Sequence, residues 1–293
     1  MDKFDTLSKI LSIPKNELED TLLHQKKYVK KVIIKRKDGS SRKTYKAIEP
    51  LKKIQDQIKF LLQEIYLPSE FHNVKRRSSK TNAEIHLAKK YILKIDIKHY
   101  YPSINQERIH WLFTELGYSN QIADLLAQFT SIDRKLVTGF STSPLIANFL
   151  FYKTLYPRIK GLCEQQNIEF SIFADDITFS RGRDLSSFKK LIRKIFNSEG
   201  FEINEKKFLL QKRNEHQEIT GYVVNKKLNI SKKEYKKIRT LLYKCKRDGI
   251  ENATGLDREK ANSHLMGKVQ RVCEVNPLKG EKLKAQLNLL INS

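Results

Sequence analysis

Two adjacent carboxylates, Asp175 and Asp176, stand in the stretch Phe173-Ala174-Asp175-Asp176, with Phe170 and Ile172 before it and Ile177 and Phe179 after it. Apolar, β-prone runs around a polar dipeptide predict a β-hairpin whose tight turn carries both carboxylates at a sheet edge. Asp is also a common turn former through its own backbone hydrogen bonds, so an Asp-Asp pair alone assigns no chemistry. Asp96 adds a third carboxylate. In Tyr91-Ile-Leu-Lys-Ile-Asp-Ile97, positions 93, 95 and 97 are apolar in strand alternation and Ile92 is apolar on the other face, which predicts a strand covered on both sides. A carboxylate near the end of such a run needs a cation, a hydrogen-bond network or solvent to offset its desolvation. Three carboxylates on adjacent strands suit hard divalent cations. Two such ions about 3.5–4 Å apart would activate an attacking hydroxyl and stabilise a leaving oxygen. The chemistry implied is nucleotidyl transfer.

Other elements must hold these groups in place. Phe4, Leu7, Ile10 and Leu11 predict a small amphipathic N-terminal helix. Residues 28–48 read as a two-stranded ribbon turning at Asp38-Gly39, with Tyr28, Val32, Ile33 and Ile34 leading in and Tyr45 and Ile48 leading out. A helix over 50–66, opened by Pro50, sets Leu51, Ile54, Ile58, Leu61, Leu62 and Ile65 on one face. Two helices follow over 105–130, with Ile109, Leu112, Phe113 and Leu116 before a stop at Gly117 and Ile122, Leu125 and Leu126 after it. Further on, Ser231-Lys-Lys-Glu234 is a capping box for a helix with Tyr235, Ile238, Leu241, Leu242 and Cys245 inward and Lys232, Lys236, Lys237, Arg239 and Arg247 outward. A second helix near Ala261 to Cys273 turns Leu265, Val269 and Val272 inward and ends before Asn276-Pro277.

Lys plus Arg number 57 against 33 acids, a net charge of +24, which favours a polyanionic partner because each neutralised phosphate releases counterions. The basic residues cluster at Lys26 to Lys37, at Lys75-Arg76-Arg77 and at Lys232 to Arg247, as a binding surface requires. A chain of 293 residues fits one composite domain or two small ones. Cys163, Cys245 and Cys273 show no CxxC spacing, so neither a zinc knuckle nor a disulfide framework is indicated, and the cytoplasm is the expected location. No run approaches the roughly 18 apolar residues of a membrane span, and acids at Asp2, Asp5, Glu17, Glu19 and Asp20 argue against a signal peptide.

The order Asp96-Ile-Lys-His-Tyr100-Tyr101-Pro-Ser-Ile, then Thr138-Gly-Phe-Ser-Thr142-Ser143-Pro144-Leu-Ile-Ala-Asn148, then Phe173-Ala-Asp175-Asp176, resembles the palm motifs of reverse transcriptases. Asn82-Ala83-Glu84-Ile85-His86 and Ile219-Thr220-Gly221-Tyr222-Val-Val-Asn225 narrow the resemblance to bacterial retron reverse transcriptases, over about residues 42 to 277. The resemblance implies an α+β right-hand polymerase. Fingers would occupy residues 1–90, a palm with an antiparallel sheet carrying the Asp triad and flanked by helices 91–229, and a helical thumb 230–293.

The family motifs also imply roles. Asp96, Asp175 and Asp176 would ligate two Mg²⁺ ions, with Mn²⁺ as a substitute and the Ile97 carbonyl as a further oxygen source. Tyr101 matches the steric gate that selects dNTPs over ribonucleotides; without the motif its ring would read as ordinary packing beside Tyr100. Lys207, with Lys206 as a rival, matches a lysine near the leaving pyrophosphate and would act as general acid. Arg77 matches the finger arginine that clamps the triphosphate. Thr138-Gly139 stands where many relatives carry Gln-Gly, leaving a short hydroxyl beside the incoming nucleotide. Tyr45 stands where a finger arginine is usual, so Arg42, Lys43 or Lys46 would supply that charge. Asn82, His86, Thr220, Gly221, Lys232, Lys236 and Lys237 are the expected RNA-binding residues, His86 as a structural or RNA-facing group rather than a metal ligand. Thr220-Gly221 also reads as a simple bend between palm and thumb.

A retron enzyme would copy part of a cognate structured non-coding RNA, starting from the 2′-hydroxyl of a guanosine in it, and give a branched RNA–DNA hybrid (msDNA). The chain has no room for a ribonuclease H domain after the thumb, so host ribonuclease H would remove the template. An effector or toxin protein encoded nearby would be held in check until phage infection, and no membrane is involved. Group-II-intron-like, diversity-generating, CRISPR-associated and abortive-infection polymerases share the palm. A non-catalytic RNA-binding scaffold is the alternative of another class, and the intact Asp triad argues against it, because an unused carboxylate cluster is electrostatically unfavourable.

Overall fold

The alternation through residues 91–97 and 170–179 becomes the sheet at the heart of the first of two units. A computed structural model describes residues 2–35, 39 and 41–291. They separate into Met1–Ser78 with Leu93–Leu210, and Ser79–Ile92 with Gln211–Ser293.

The sheet, most of whose residues belong to the first unit, runs Glu169–Phe173, Asp176–Arg181, Tyr91–Asp96, Leu209–Lys212 in spatial order. The hairpin is antiparallel and pairs Phe173 with Asp176, so its turn is only Ala174-Asp175. A turn this tight requires positive φ, and Ala174 adopts +56°. On the hairpin's outer edge Phe71 makes a parallel bridge to Ile172. There the Ile172 N–H donates to the Glu70 carbonyl at 2.7 Å and the His72 N–H donates to the Ile172 carbonyl at 2.8 Å. Aromatic rings bind helices to the sheet. Phe71 meets Phe151 of helix Ser143–Lys153 at 6.0 Å between centroids, and Phe179 meets Phe188 of helix Ser186–Ser198 at 5.0 Å.

The ribbon forms from Val29–Lys35 and Ser41–Ala47, with Val29 opposite Ala47 and Lys35 opposite Ser41. Asp38 of the expected turn, like Lys37 of the basic run, lies outside the described residues. Helix Leu51–Gln63 buries Leu51, Ile54, Ile58 and Leu62. It stops short of Ile65, which is exposed and so leaves the stripe the sequence assigned to it. Helices Lys3–Leu11, Gln106–Glu115 and Asn120–Thr130 form as their spacing predicts.

The second unit is mainly helical. Helix Lys232–Asp248 is capped by Ser231, whose hydroxyl accepts from the Glu234 N–H at 3.2 Å, and it buries Ile238, Leu242 and Cys245. Helix Arg258–Cys273 buries Ala261, Leu265, Val269 and Val272. A third helix, Pro277–Ile291, was not anticipated. Its signals are present all the same: Pro277 in the first turn, where a missing N–H costs nothing, and Gly280, Leu283, Leu287 and Leu290 inward at helical spacing. Cys163, Cys245 and Cys273 are free thiols. Among the described residues no helix is long and apolar enough to cross a membrane.

Candidate active site

Asp96 closes one central strand and Asp176 opens its neighbour, while the Ile97 N–H donates to the Asp175 carbonyl at 3.3 Å. The three carboxylates therefore gather at one end of the sheet. Asp96 is only 7% exposed, and a segment returning after helix Ser186–Ser198 meets it. In that segment the Asn204 N–H donates to the Asp96 carbonyl at 2.9 Å, Asn204 Nδ2 donates to Asp96 Oδ2 at 3.1 Å, and Lys207 Nζ donates to Asp96 Oδ1 at 2.6 Å. The segment is itself held, because Arg193 grips Glu205 through two nitrogens at 3.0 and 2.8 Å and Lys189 Nζ donates to the Phe208 carbonyl at 2.8 Å. Asp176 is still open to solvent, and partial desolvation, then the negative charges of Asp175 and Asp96, shift its carboxyl upward against the pull of Lys94 and Lys207.

Three mutually repelling carboxylates with oxygen-only donors fit a hard divalent cation. Among the described residues no three acidic, His or Cys groups are already closed into a cage. The Lys207 ammonium neutralises Asp96 from one side.

Tyr101, 9% exposed, links this carboxylate end to the ribbon. Burial, then the Asp175 charge, push its hydroxyl up to about 12, while Arg42 pulls the other way. Arg42 in turn donates to Thr138 Oγ1 at 3.3 Å, and the Tyr45 N–H donates to the Thr138 carbonyl at 2.8 Å. Gly139 makes that approach possible. It adopts φ +110°, and a Cβ there would stand well inside 3.0 Å of the Tyr45 carbonyl oxygen. Asp96, Asp175, Asp176, Lys207, Tyr101, Thr138 and Gly139 thus converge in one unit.

Other expected site residues do not join them. Lys43 and Lys46 are exposed on opposite faces of their strand, and it is Arg42 that reaches Thr138 and Tyr101. Arg77 corrects the expectation of a triphosphate clamp. Its guanidinium donates to the carbonyls of Leu67 at 3.0 Å, Phe71 at 2.8 Å and Pro68. An irregular loop leaves carbonyls without ladder partners, and Arg77 satisfies them. That loop carries Glu70 and Phe71 against the catalytic hairpin. Asn204 and Lys94 were missed as site residues. The parity of the strand places Lys94 on the same face as Asp96, which sequence alone could have shown.

In the second unit Thr220-Gly221 is the turn between strands Glu218–Ile219 and Tyr222–Val223, with φ +44° and +82°. Thr220 Oγ1 donates to the Ser79 carbonyl at 2.7 Å, Asn82 Nδ2 lies 3.5 Å from that hydroxyl, and Arg271 donates to the Thr220 carbonyl at 2.8 Å. Gly221 supplies the positive φ this turn needs, and the Arg271 guanidinium packs where a Cβ would stand. Asn82 and His86 are 1% and 0% exposed, so both side chains face inward, Asn82 against the expectation of RNA contact and His86 in keeping with the structural side of its reading. Lys232, Lys236 and Lys237 are exposed on the first helix, with Lys237 paired to Glu234 at 3.2 Å.

Comparison with known proteins agrees with this geometry. The reverse transcriptase (RNA-dependent DNA polymerase) family matches residues 33–224, more than half of the chain. The chain is 29% identical to the retron Mx65 reverse transcriptase of Myxococcus xanthus, over 85% of this chain and 62% of that protein. It is 27% identical to the retron Se72 reverse transcriptase of Salmonella heidelberg, over 97% and 78% respectively, and 30% identical to the retron Ec86 reverse transcriptase of Escherichia coli, over 58% and 53%. The chain thus spans only 62% and 53% of the length of two of these relatives. Among solved structures, telomerase from Candida albicans superposes with a TM-score of 0.52 at 13% identity, over 90% of this chain and 59% of that one, which shows a shared fold. With the carboxylate hairpin beside Asp96 and the family match spanning both, the chain belongs to the reverse transcriptase (RNA-dependent DNA polymerase) family and within it resembles the bacterial retron enzymes.

Proposed function

We propose that this chain is an RNA-directed DNA polymerase of the retron type. It would synthesise DNA on a cognate structured non-coding RNA, prime from an RNA 2′-hydroxyl and yield a branched RNA–DNA hybrid. The observation that carries the reading is the gathering of Asp96, Asp175 and Asp176 at one sheet end, with Lys207 and Asn204 on Asp96. Asp96, Asp175, Asp176 and the Ile97 carbonyl are the oxygens offered to two Mg²⁺ ions. When bound, these ions would activate the attacking hydroxyl and neutralise the departing oxygen.

The chain's own side chains supply the rest. Lys207 carries its proton beside Asp96, where it can protonate the departing pyrophosphate. Tyr101 lies between Asp175 and Arg42 in charge terms, the place for a ring that tests the sugar, and Arg42 offers a guanidinium to the triphosphate. Fingers over 1–90, palm over 91–229 and thumb over 230–293 remain the proposed partition. Host ribonuclease H, a neighbouring effector protein, a role in anti-phage defence and a cytoplasmic location complete the retron reading.

The test is DNA synthesis on the RNA encoded beside the gene. Asp175→Asn and Asp176→Asn should abolish synthesis while leaving RNA binding within about twofold, since affinity rests on the basic surface. Lys207→Gln should lower the extension rate about 10²-fold and Lys206→Gln should not. Substantial synthesis by either Asp variant defeats the assignment, and a wild-type chain that makes no 2′-linked product defeats the retron part.

A further inference from the structure

Tyr101 does not stand alone. Its neighbour Tyr100 is 3% exposed and packs its ring between two others, 5.6 Å from Tyr101 and 5.8 Å from Phe201, centroid to centroid. Phe201 is itself backed by Arg108 of helix Gln106–Glu115, whose guanidinium lies 4.6 Å from the ring centroid while it donates to the Glu199 carbonyl at 3.1 Å. Arg108, Phe201, Tyr100 and Tyr101 thus form one chain of contacts with Tyr101 at its end. Core volume alone would be met by a phenylalanine at position 100, yet the Tyr100 hydroxyl is buried and donates to the Ala147 carbonyl at 3.0 Å. Ala147 lies in helix Ser143–Lys153, which begins just after the Thr138-Gly139 segment. The backbone of the turn is held as well, since Ser103 Oγ donates to the Tyr100 carbonyl at 2.7 Å and the Ile104 N–H donates to the Tyr101 carbonyl at 3.0 Å. Burial first, then the charges of Tyr101 and Asp175, hold the Tyr100 phenol well above its usual range, so it keeps its proton and remains a donor.

We infer that Tyr100 is a positioning residue for sugar selection: its hydroxyl on Ala147 and its ring against Phe201 keep Tyr101 from retreating when a ribonucleotide enters. A wall rejects a substrate that merely adds a hydroxyl only as far as the wall refuses to yield. Rigidity is therefore the quantity that matters. A loosely held ring would turn aside at the small cost of leaving its rotamer. Tyr101 cannot turn towards Tyr100 without displacing it, and Tyr100 cannot give way without breaking its bond to the helix or pressing on Phe201. Close-packed interiors transmit such strain instead of absorbing it. A deoxy sugar makes no such demand, so the anchor separates the two substrates without entering into the chemistry. Phe201 also stands in the returning segment that reaches Asp96 through Asn204, so gate and carboxylate share one support. The inference rests on the reading of Tyr101 as the gate, and it deepens that reading by naming what makes the gate stiff.

The test compares kcat/KM for dNTPs and rNTPs on a primed RNA template with the full chain. Tyr100→Phe removes the hydroxyl and keeps the ring. It should lower the ratio of dNTP to rNTP use about fivefold, through faster rNTP use, with kcat/KM for dNTPs within about twofold of wild type. Phe201→Leu loosens the same ring from behind and should act in the same direction. Phe129→Leu is the control for general loss of packing, because Phe129 is fully buried in helix Asn120–Thr130 and is no part of the chain of contacts. It should lower the melting temperature and leave the ratio unchanged. Tyr101→Ala should narrow the ratio further than Tyr100→Phe does, and adding Tyr100→Phe to it should change nothing more, since a positioning residue acts only through the group it holds. An unchanged ratio in Tyr100→Phe, a further fall in the double variant, or an equal fall in Phe129→Leu overturns the inference. Tyr101→Ala tells the two readings apart. An unchanged ratio there removes the gate and the inference with it, whereas a ratio that falls with Tyr101→Ala and not with Tyr100→Phe removes the anchor alone.

Discussion

Replacing Gly139 with alanine puts a methyl group where the ribbon backbone passes. The added Cβ would fall well inside 3.0 Å of the Tyr45 carbonyl oxygen and 3.1 Å from its nitrogen, and all of these are main-chain atoms that cannot rotate away. Three penalties combine. The φ of +110° is left-handed territory that costs a side-chain residue about 1–2 kcal/mol. Relief of the clash stretches the Tyr45 N–H bond to the Thr138 carbonyl, now 2.8 Å, at about 1 kcal/mol. Separation of ribbon and loop also removes Arg42 from Thr138. Gly117 is the control, since it adopts φ +93° with nothing within 4 Å of a built Cβ and so carries the backbone penalty alone. At about 2–3 °C per kcal/mol, Gly117→Ala should melt roughly 2–6 °C below wild type and Gly139→Ala roughly 4–9 °C below, always at least about 2 °C lower than the Gly117 variant. Gly139→Ala should also raise KM for dNTPs severalfold at temperatures where it is fully folded, while Gly117→Ala should not. Equal melting temperatures for the two variants would refute the close approach. A lower melting temperature with unchanged KM would remove the ribbon from the nucleotide site.

Arg42→Gln should raise KM for dNTPs about tenfold with little loss of stability, whereas Arg77→Gln should lower the melting temperature with KM nearly unchanged, because one guanidinium faces Thr138 and Tyr101 and the other holds a loop. Steady-state kinetics paired with thermal melts separates them, and the reverse pattern restores Arg77 as the clamp. Tyr101→Ala should narrow the preference for dNTPs over rNTPs, read as the ratio of kcat/KM values; an unchanged ratio removes Tyr101 from sugar selection. His72 is held down to about 4 by burial first and by Arg77 second, against 6.5 for the ordinary group. The unfolded chain therefore takes up this proton first as pH falls, so the contribution of neutral His72 is complete above about pH 6.5 and is lost on the way down to 4. Between pH 7 and 5 it should account for about 2 kcal/mol of lost stability. Urea unfolding of His72→Gln should show that much less pH dependence, and an unaltered slope would show that His72 titrates in the folded protein as it does in the unfolded chain.

The strands and hairpin that gather the three carboxylates were legible in the sequence because their signal is local. Alternation in 91–97 and 170–179 makes strands, a polar dipeptide makes a turn, and an Asp in an apolar run demands an explanation that its neighbours cannot give. Helices Lys232–Asp248 and Arg258–Cys273 were legible for the same reason, through a capping box and a 3.6-residue stripe, and helix Pro277–Ile291 was overlooked although Leu283, Leu287 and Leu290 repeat that stripe. What the sequence could not display is which of several similar cations reaches a given place. Arg42, Lys43 and Lys46 are equivalent in composition, and only the pairing of the Tyr45 N–H with the Thr138 carbonyl shows that the neighbour serving Thr138 is Arg42. Arg77 fails in the opposite direction, since a motif position cannot reveal that three loop carbonyls have already taken its guanidinium. The same contacts suggest how rigidity reaches the reaction centre. Arg77 ties the loop that carries Glu70 and His72, their backbones pair with Ile172, and Ile172 stands only a few residues before Asp175. A residue expected to touch the nucleotide thus has its guanidinium on the loop that borders the strand carrying the carboxylates. Its loss should therefore register as weaker positioning of Asp175 and Asp176 rather than as weaker nucleotide binding.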